Sequence, residues 1–213
     1  MLLTIDPQAT NGFGALSYPT SDGLIQGEVQ VNPYTSANLE AGVVAANATY
    51  PLFAGLPVSL GVQILGTDRK GVTVRKSVVG NVAAGIQGWT VSQGSGVMGV
   101  TSFTSNPPLF PQGGSINFYP SGSKGRIAVR INNTLASTLA NTDFITTPVM
   151  WDWTNDELVV WTSGTDAANL QLTSIRVISV SPYDTNHNLS IGYNTGTGVA
   201  SYATDKSLAI IEV

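Results

Sequence analysis

The chain has 213 residues, with nine basic and thirteen acidic side chains, a net charge of −4, one histidine and no cysteine. This excludes disulfide staples and cysteine zinc sites, leaves few groups for proton transfer or nucleophilic attack, and argues against non-specific nucleic-acid binding, which needs a basic surface. The length suffices to bury roughly 70% of the unfolded surface in a self-sufficient core.

Residues 1–22 are rich in turn formers: Asp6-Pro7, Asn11-Gly12, Tyr18-Pro19 and Ser21-Asp22-Gly23. No periodic pattern spans them, so they read as an extended N-terminal arm. Its apolar residues, Leu3, Ile5 and Phe13 among them, are candidates for packing on a neighbouring subunit. The start of the chain has no basic region and no long apolar run, so no signal peptide is expected. No segment is apolar over the length a membrane helix needs, so no membrane contact is expected.

From Leu24 the pattern becomes short apolar runs between turns. Leu24 to Val31 is the first strand candidate, with Gly27 as a bulge. Ser36-Ala37-Asn38-Leu39-Glu40-Ala41 resembles a helix start that Gly42-Val43-Val44 ends. In Pro57 to Leu65, Val58, Leu60, Val62 and Ile64 recur at period two, the mark of a half-buried strand. A turn follows, then Val72 to Lys76, and the two predict a β-hairpin. Further strands are expected at 86–91, 97–103, 115–119 and 126–131. Asn106 to Gly114, with three prolines and two glycines, is a candidate subdomain boundary. A short helix is an alternative to loop at Thr134 to Asn141. Runs at 149–153 and 158–161 flank Thr154-Asn155-Asp156-Glu157, another hairpin signal. Strands at 174–180, 189–193 and 208–213 complete the set.

This spacing predicts an all-β fold, an antiparallel β-sandwich or barrel, with residues 23–213 as one β-domain behind the arm.

Few residues carry chemistry. His187 and Asp184 share a polar turn, which reads as an exposed loop rather than a catalytic pair. Asp152, Asp156 and Glu157 cluster around one hairpin. Solvated turn charges explain them best, ahead of calcium ligands or a glycosidase acid pair. No cofactor and no metal are expected, and the chain reads as non-enzymatic. Trp151 and Trp153 are two apart and share a strand face. With Trp161 they form either a binding platform or the core under one sheet. Arg69, Lys70, Arg75 and Lys76 concentrate basic charge on one hairpin. They either blunt a strand edge or meet an acidic protein surface.

Three segments then carry a resemblance: Ala54-Gly55-Leu56-Pro57-Val58-Ser59-Leu60, Val82-Ala83-Ala84-Gly85-Ile86-Gln87-Gly88, and Gly125 to Asn133. Their order, behind a turn-rich lead-in, resembles the capsid decoration (cement) proteins of tailed bacteriophages, over about residues 50–165. The resemblance implies a non-enzymatic structural protein that is made in the host cytoplasm and binds the capsid exterior. Its partners would be the major capsid protein and further copies of itself. The alternative is a phage tail, fibre or baseplate component with a carbohydrate-binding β-domain. The interface residues expected are Leu3, Ile5, Phe13, Arg69, Lys70, Arg75, Lys76, Trp151 and Trp153.

Overall fold

The structure is a computed structural model that describes residues 24–27, 38–48, 51–61, 72–76, 85–91, 107–142, 146–184 and 188–213, with Arg75 the one described side chain of 72–76. The arm with Leu3, Ile5 and Phe13, the tip residues Arg69 and Lys70, the strand expected at 97–103, and His187 lie outside the described residues. The Lys76 side chain does too.

Five strands form the first unit: β1 (Glu40–Val44), β2 (Pro57–Leu60), β3 (Val72–Lys76), β4 (Gly88–Val91) and β5 (Ser115–Pro120). Their ladders run β1-β3-β2-β4-β5, and β5 returns to β1, closing a barrel. The hairpin read from the alternation is present, with Val58 opposite Lys76 and Leu60 opposite Val74. Of the helix start read at 36–41, Ser36 and Ala37 lie outside the described residues, and Glu40 and Ala41 are strand. They open β1, which pairs parallel with β3 and antiparallel with β5. Two flanking partners override a local capping signal, and β-branched Val43 and Val44 suit a strand.

The second unit is a five-stranded sheet in the order β7-β8-β6-β12-β9. Its strands are β6 (Arg126–Ile131), β7 (Val149–Asp152), β8 (Glu157–Val160), β9 (Arg176–Ser181) and β12 (Ser207–Glu212). Between β9 and β12, strands β10 (Ser190–Asn194) and β11 (Val199–Ala203) form a hairpin. The fold is all-β, with barrel character. The ladders are not uniformly antiparallel: β1–β3 and β6–β8 pair parallel.

Among the described residues one α-helix, α1 (Asn133–Ala140), occurs, and it follows β6. Asn132 caps it, its Oδ1 accepting from the Thr134 and Leu135 N–H groups. Leu135, Ala136 and Leu139 are its buried face. The Pro- and Gly-rich segment read as a candidate boundary lies inside the barrel, between neighbours β4 and β5. There Leu52 and Phe110 exchange backbone hydrogen bonds. The chain passes from barrel to sheet later, through Ser121 to Gly125.

One apolar cluster joins the two units. It includes Leu52, Leu56, Val58, Ile116 and Phe118 of the barrel and Ile127, Val129, Ile131, Leu158 and Ile211 of the sheet. Burying one such side chain stabilises by about 1.5–3 kcal/mol. The alternation of β6 puts Ile127, Val129 and Ile131 in that core while Arg126 and Arg130 stay half-buried.

Candidate functional site

The tryptophans come first. Trp89 on β4 and Trp151 on β7 are 0% and 1% exposed. Their rings meet edge to face, with centroids 5.2 Å apart at 80°. Trp151 is therefore core, and its assignment to an interface is corrected. The reason is register: Trp151 lies opposite Leu158, and Leu158 opposite Ile131, so all three share the face that packs toward the barrel. Trp153, one residue beyond β7, is half-buried against the same cluster. Trp161 takes no part in the pair; its Nε1–H donates to the Ala167 carbonyl at 3.0 Å. No exposed indole platform forms among the described residues.

The acidic hairpin is occupied by structure. Asp152 Oδ1 accepts from the Thr154 and Asn155 N–H groups, and its Oδ2 from Asn155 Nδ2 at 2.7 Å. This fixes the turn. Glu157 is 7% exposed, accepts from Asn132 Nδ2 at 3.0 Å, and stands 3.6 Å from Arg130. A buried carboxylate needs such partners. Among the described residues no group of three or more metal-ligating side chains occurs. Asp184 is exposed.

A second charged cluster was not singled out in the sequence. Arg126, Glu212 and Arg176 are opposite one another on β6, β12 and β9. Both Arg126 Nε and Nη2 donate to Glu212 Oε2 at 3.2 Å, and Arg176 Nη2 donates to Oε1 at 3.1 Å. Burial pushes the Glu212 carboxyl up, but the Arg126 hydrogen bond and the Arg176 charge lead the opposing effects, which outweigh it. The carboxyl lies below the usual range. On β11, burial raises the Tyr202 hydroxyl above its ordinary value.

Two buried amides were also missed. Gln26 is fully buried; its Nε2 donates to the Ala54 carbonyl at 3.1 Å, and its Oε1 accepts from the Ile191 N–H at 2.8 Å. Asn188 is fully buried as well. Its Oδ1 accepts from Leu24 N–H and Ser181 Oγ–H, and its Nδ2 donates to the Ser181 and Lys206 carbonyls. Together they tie the segment Leu24–Gly27 to the barrel, to β9 and to the hairpin. Of the strand expected at Leu24 to Val31, residues 28–31 lie outside the described residues, and 24–27 hold a single parallel bridge, Ile25 to Leu189, followed by a turn.

Of the expected interface residues with described side chains, Arg75 is exposed on β3, opposite Ser59. It lies on a barrel strand, whereas Trp153 packs against the core cluster that contains Trp151. Comparison with protein-family models, curated proteins and solved structures gave no match in any of the three.

Proposed function

We propose that this chain is a non-enzymatic virion structural protein that binds and stabilises a phage capsid lattice from outside. The observation that carries the reading is how its carboxylates are used. Asp152 caps a turn, Glu157 is held by Arg130 and Asn132, and Glu212 is held by two arginines. These three carboxylates are spent on holding the fold. The joint core of barrel and sheet supports a rigid module of this kind. Exposed Arg75, on the basic hairpin, supports docking to an acidic surface. The alternative, a carbohydrate-binding tail component, would need an aromatic surface that does not include the buried Trp151.

The test is to look for a major capsid protein gene near this one and to co-express the chain with its product. The chain should sediment with assembled capsids in stoichiometric amount. Recovery of the chain entirely in the soluble fraction, with capsids intact, would overturn the reading.

A further inference from the structure

The barrel closes on itself and has no edge, so the sheet edges of the described fold lie elsewhere. The five-stranded sheet ends in β7 and β9, and the hairpin ends in β11. Open edges invite pairing with another chain, and proteins that stay apart defend them with charge, proline or cover. β7 carries Asp152, and its start is covered where Leu172 N–H donates to the Val149 carbonyl at 2.9 Å. β9 carries Arg176. β11 reads Val-Ala-Ser-Tyr-Ala and has neither charge nor proline. No charged residue occurs anywhere from Asn188 to Thr204.

The direction of its backbone groups follows from β10. Leu189 N–H donates to the Leu24 carbonyl, its own carbonyl accepts from Gln26 N–H, and Ile191 N–H donates to the Gln26 side chain. Odd-numbered residues of β10 therefore point their backbone groups away from β11. The even-numbered residues Ser190, Gly192 and Asn194 face Ala203, Ser201 and Val199. By the alternation of antiparallel ladders, the N–H and C=O groups of Ala200 and Tyr202 point outward from β11. Among the described residues that outer side has no strand. A two-stranded hairpin is marginal by itself in water, and further strands stabilise it.

We infer that β11 pairs with β11 of a second copy of this chain, in an antiparallel, two-fold interface. Charge leaves this edge open to a copy, although the chains repel one another overall. Each chain carries −4, and like charges opposed across strands are destabilising; this edge brings two copies together with no charge on either strand. Geometry argues for a copy as the occupant. With the axis at Ser201, Ala200 of each strand meets Tyr202 of the other, so the outward N–H and C=O groups are mutually satisfied. Ser201 then faces its own copy as a non-hydrogen-bonded pair, with Cα atoms about 4.5 Å apart. Ser201 and Val199 are exposed.

The test needs no capsid and is independent of the virion reading. The full chain should sediment as a dimer. Val199→Lys with Ser201→Lys should give a folded monomer, since both side chains are exposed and neither fills the core. The same variant mixed with Val199→Glu/Ser201→Glu should restore the dimer. Because the chain has no cysteine, Ser201→Cys gives a single thiol at a separation within disulfide reach. It should cross-link far faster than Thr197→Cys in the exposed turn. A monomeric wild type would overturn the inference, as the edge would then be left to residues 1–23 or to another protein. A lysine variant that remains dimeric, or equal cross-linking of the two cysteine variants, would also overturn it.

Discussion

Trp89 of the barrel and Trp151 of the sheet meet edge to face at 5.2 Å, with both rings excluded from solvent. The contact joins the two units directly, so it couples their stabilities. Trp151→Ala should cost about 3–5 kcal/mol in urea unfolding. A double-mutant cycle with Trp89→Phe and Trp151→Phe should show a coupling of about 0.5–1.5 kcal/mol. A Trp151→Ala change below about 0.5 kcal/mol would mean a solvent-facing ring.

The segment at Gln26 should be as sensitive as the core. Gln26→Ala strands the Ile191 N–H and the Ala54 carbonyl, at about 1–3 kcal/mol for each buried group left without a partner. Gly27 has φ +78°, and a Cβ there would lie 2.0 Å from the Ala54 Cβ. Gly27→Ala should therefore cost at least ~2 kcal/mol, from left-handed backbone and overpacking together. Thermal unfolding of both variants checks this.

How far the sequence carried the fold depends on the range of the interactions. Turn chemistry made the β2–β3 and β7–β8 hairpins legible, since each is decided within about 20 residues. The parallel pairs β1–β3 and β6–β8 were not, because their strands are joined through long connections with no local sign of pairing. β11 was missed because Val199 and Tyr202 are its only large residues. Its available signal was the turn from Asn194 to Gly198, where Asn194 Oδ1 accepts from Gly196 and Thr197 N–H. Alternation put Trp151 and Trp153 on one strand face, but Trp153 lies one residue beyond β7, and which face meets the barrel depends on distant strands. Gln26 and Asn188 left no periodic trace, since a buried amide is defined by its partners.

Stability should fall on acidification through Glu212. Its folded carboxyl titrates below the usual range, so the unfolded chain binds that proton more readily. The contribution is complete above the ordinary carboxylate value and is lost as pH falls through the folded one. Glu212→Gln should lower stability near neutrality by about 1 kcal/mol or less. The gap from wild type should close in acid. Unfolding midpoints across that range decide it; a gap that widens on acidification would have the wrong sign.

The basic hairpin offers the most direct test of capsid docking. Arg69, Lys70, Arg75 and Lys76 place four of the nine basic residues of a net-acidic chain within eight positions. Arg75 is exposed on β3, so changing it leaves the core intact. Each exposed ion pair contributes only about 0–1 kcal/mol and is screened by salt. Repeated over a lattice, such pairs set orientation and association rate. Changing all four to glutamate should slow or abolish capsid binding at low ionic strength while the melting temperature stays within a few degrees. Raising the salt should narrow the difference, because screening weakens the attraction in the wild type and the repulsion in the variant alike. If the reversed chain decorates capsids at low salt as fast as the wild type, the hairpin is a solvated tip, and the contact lies on another surface.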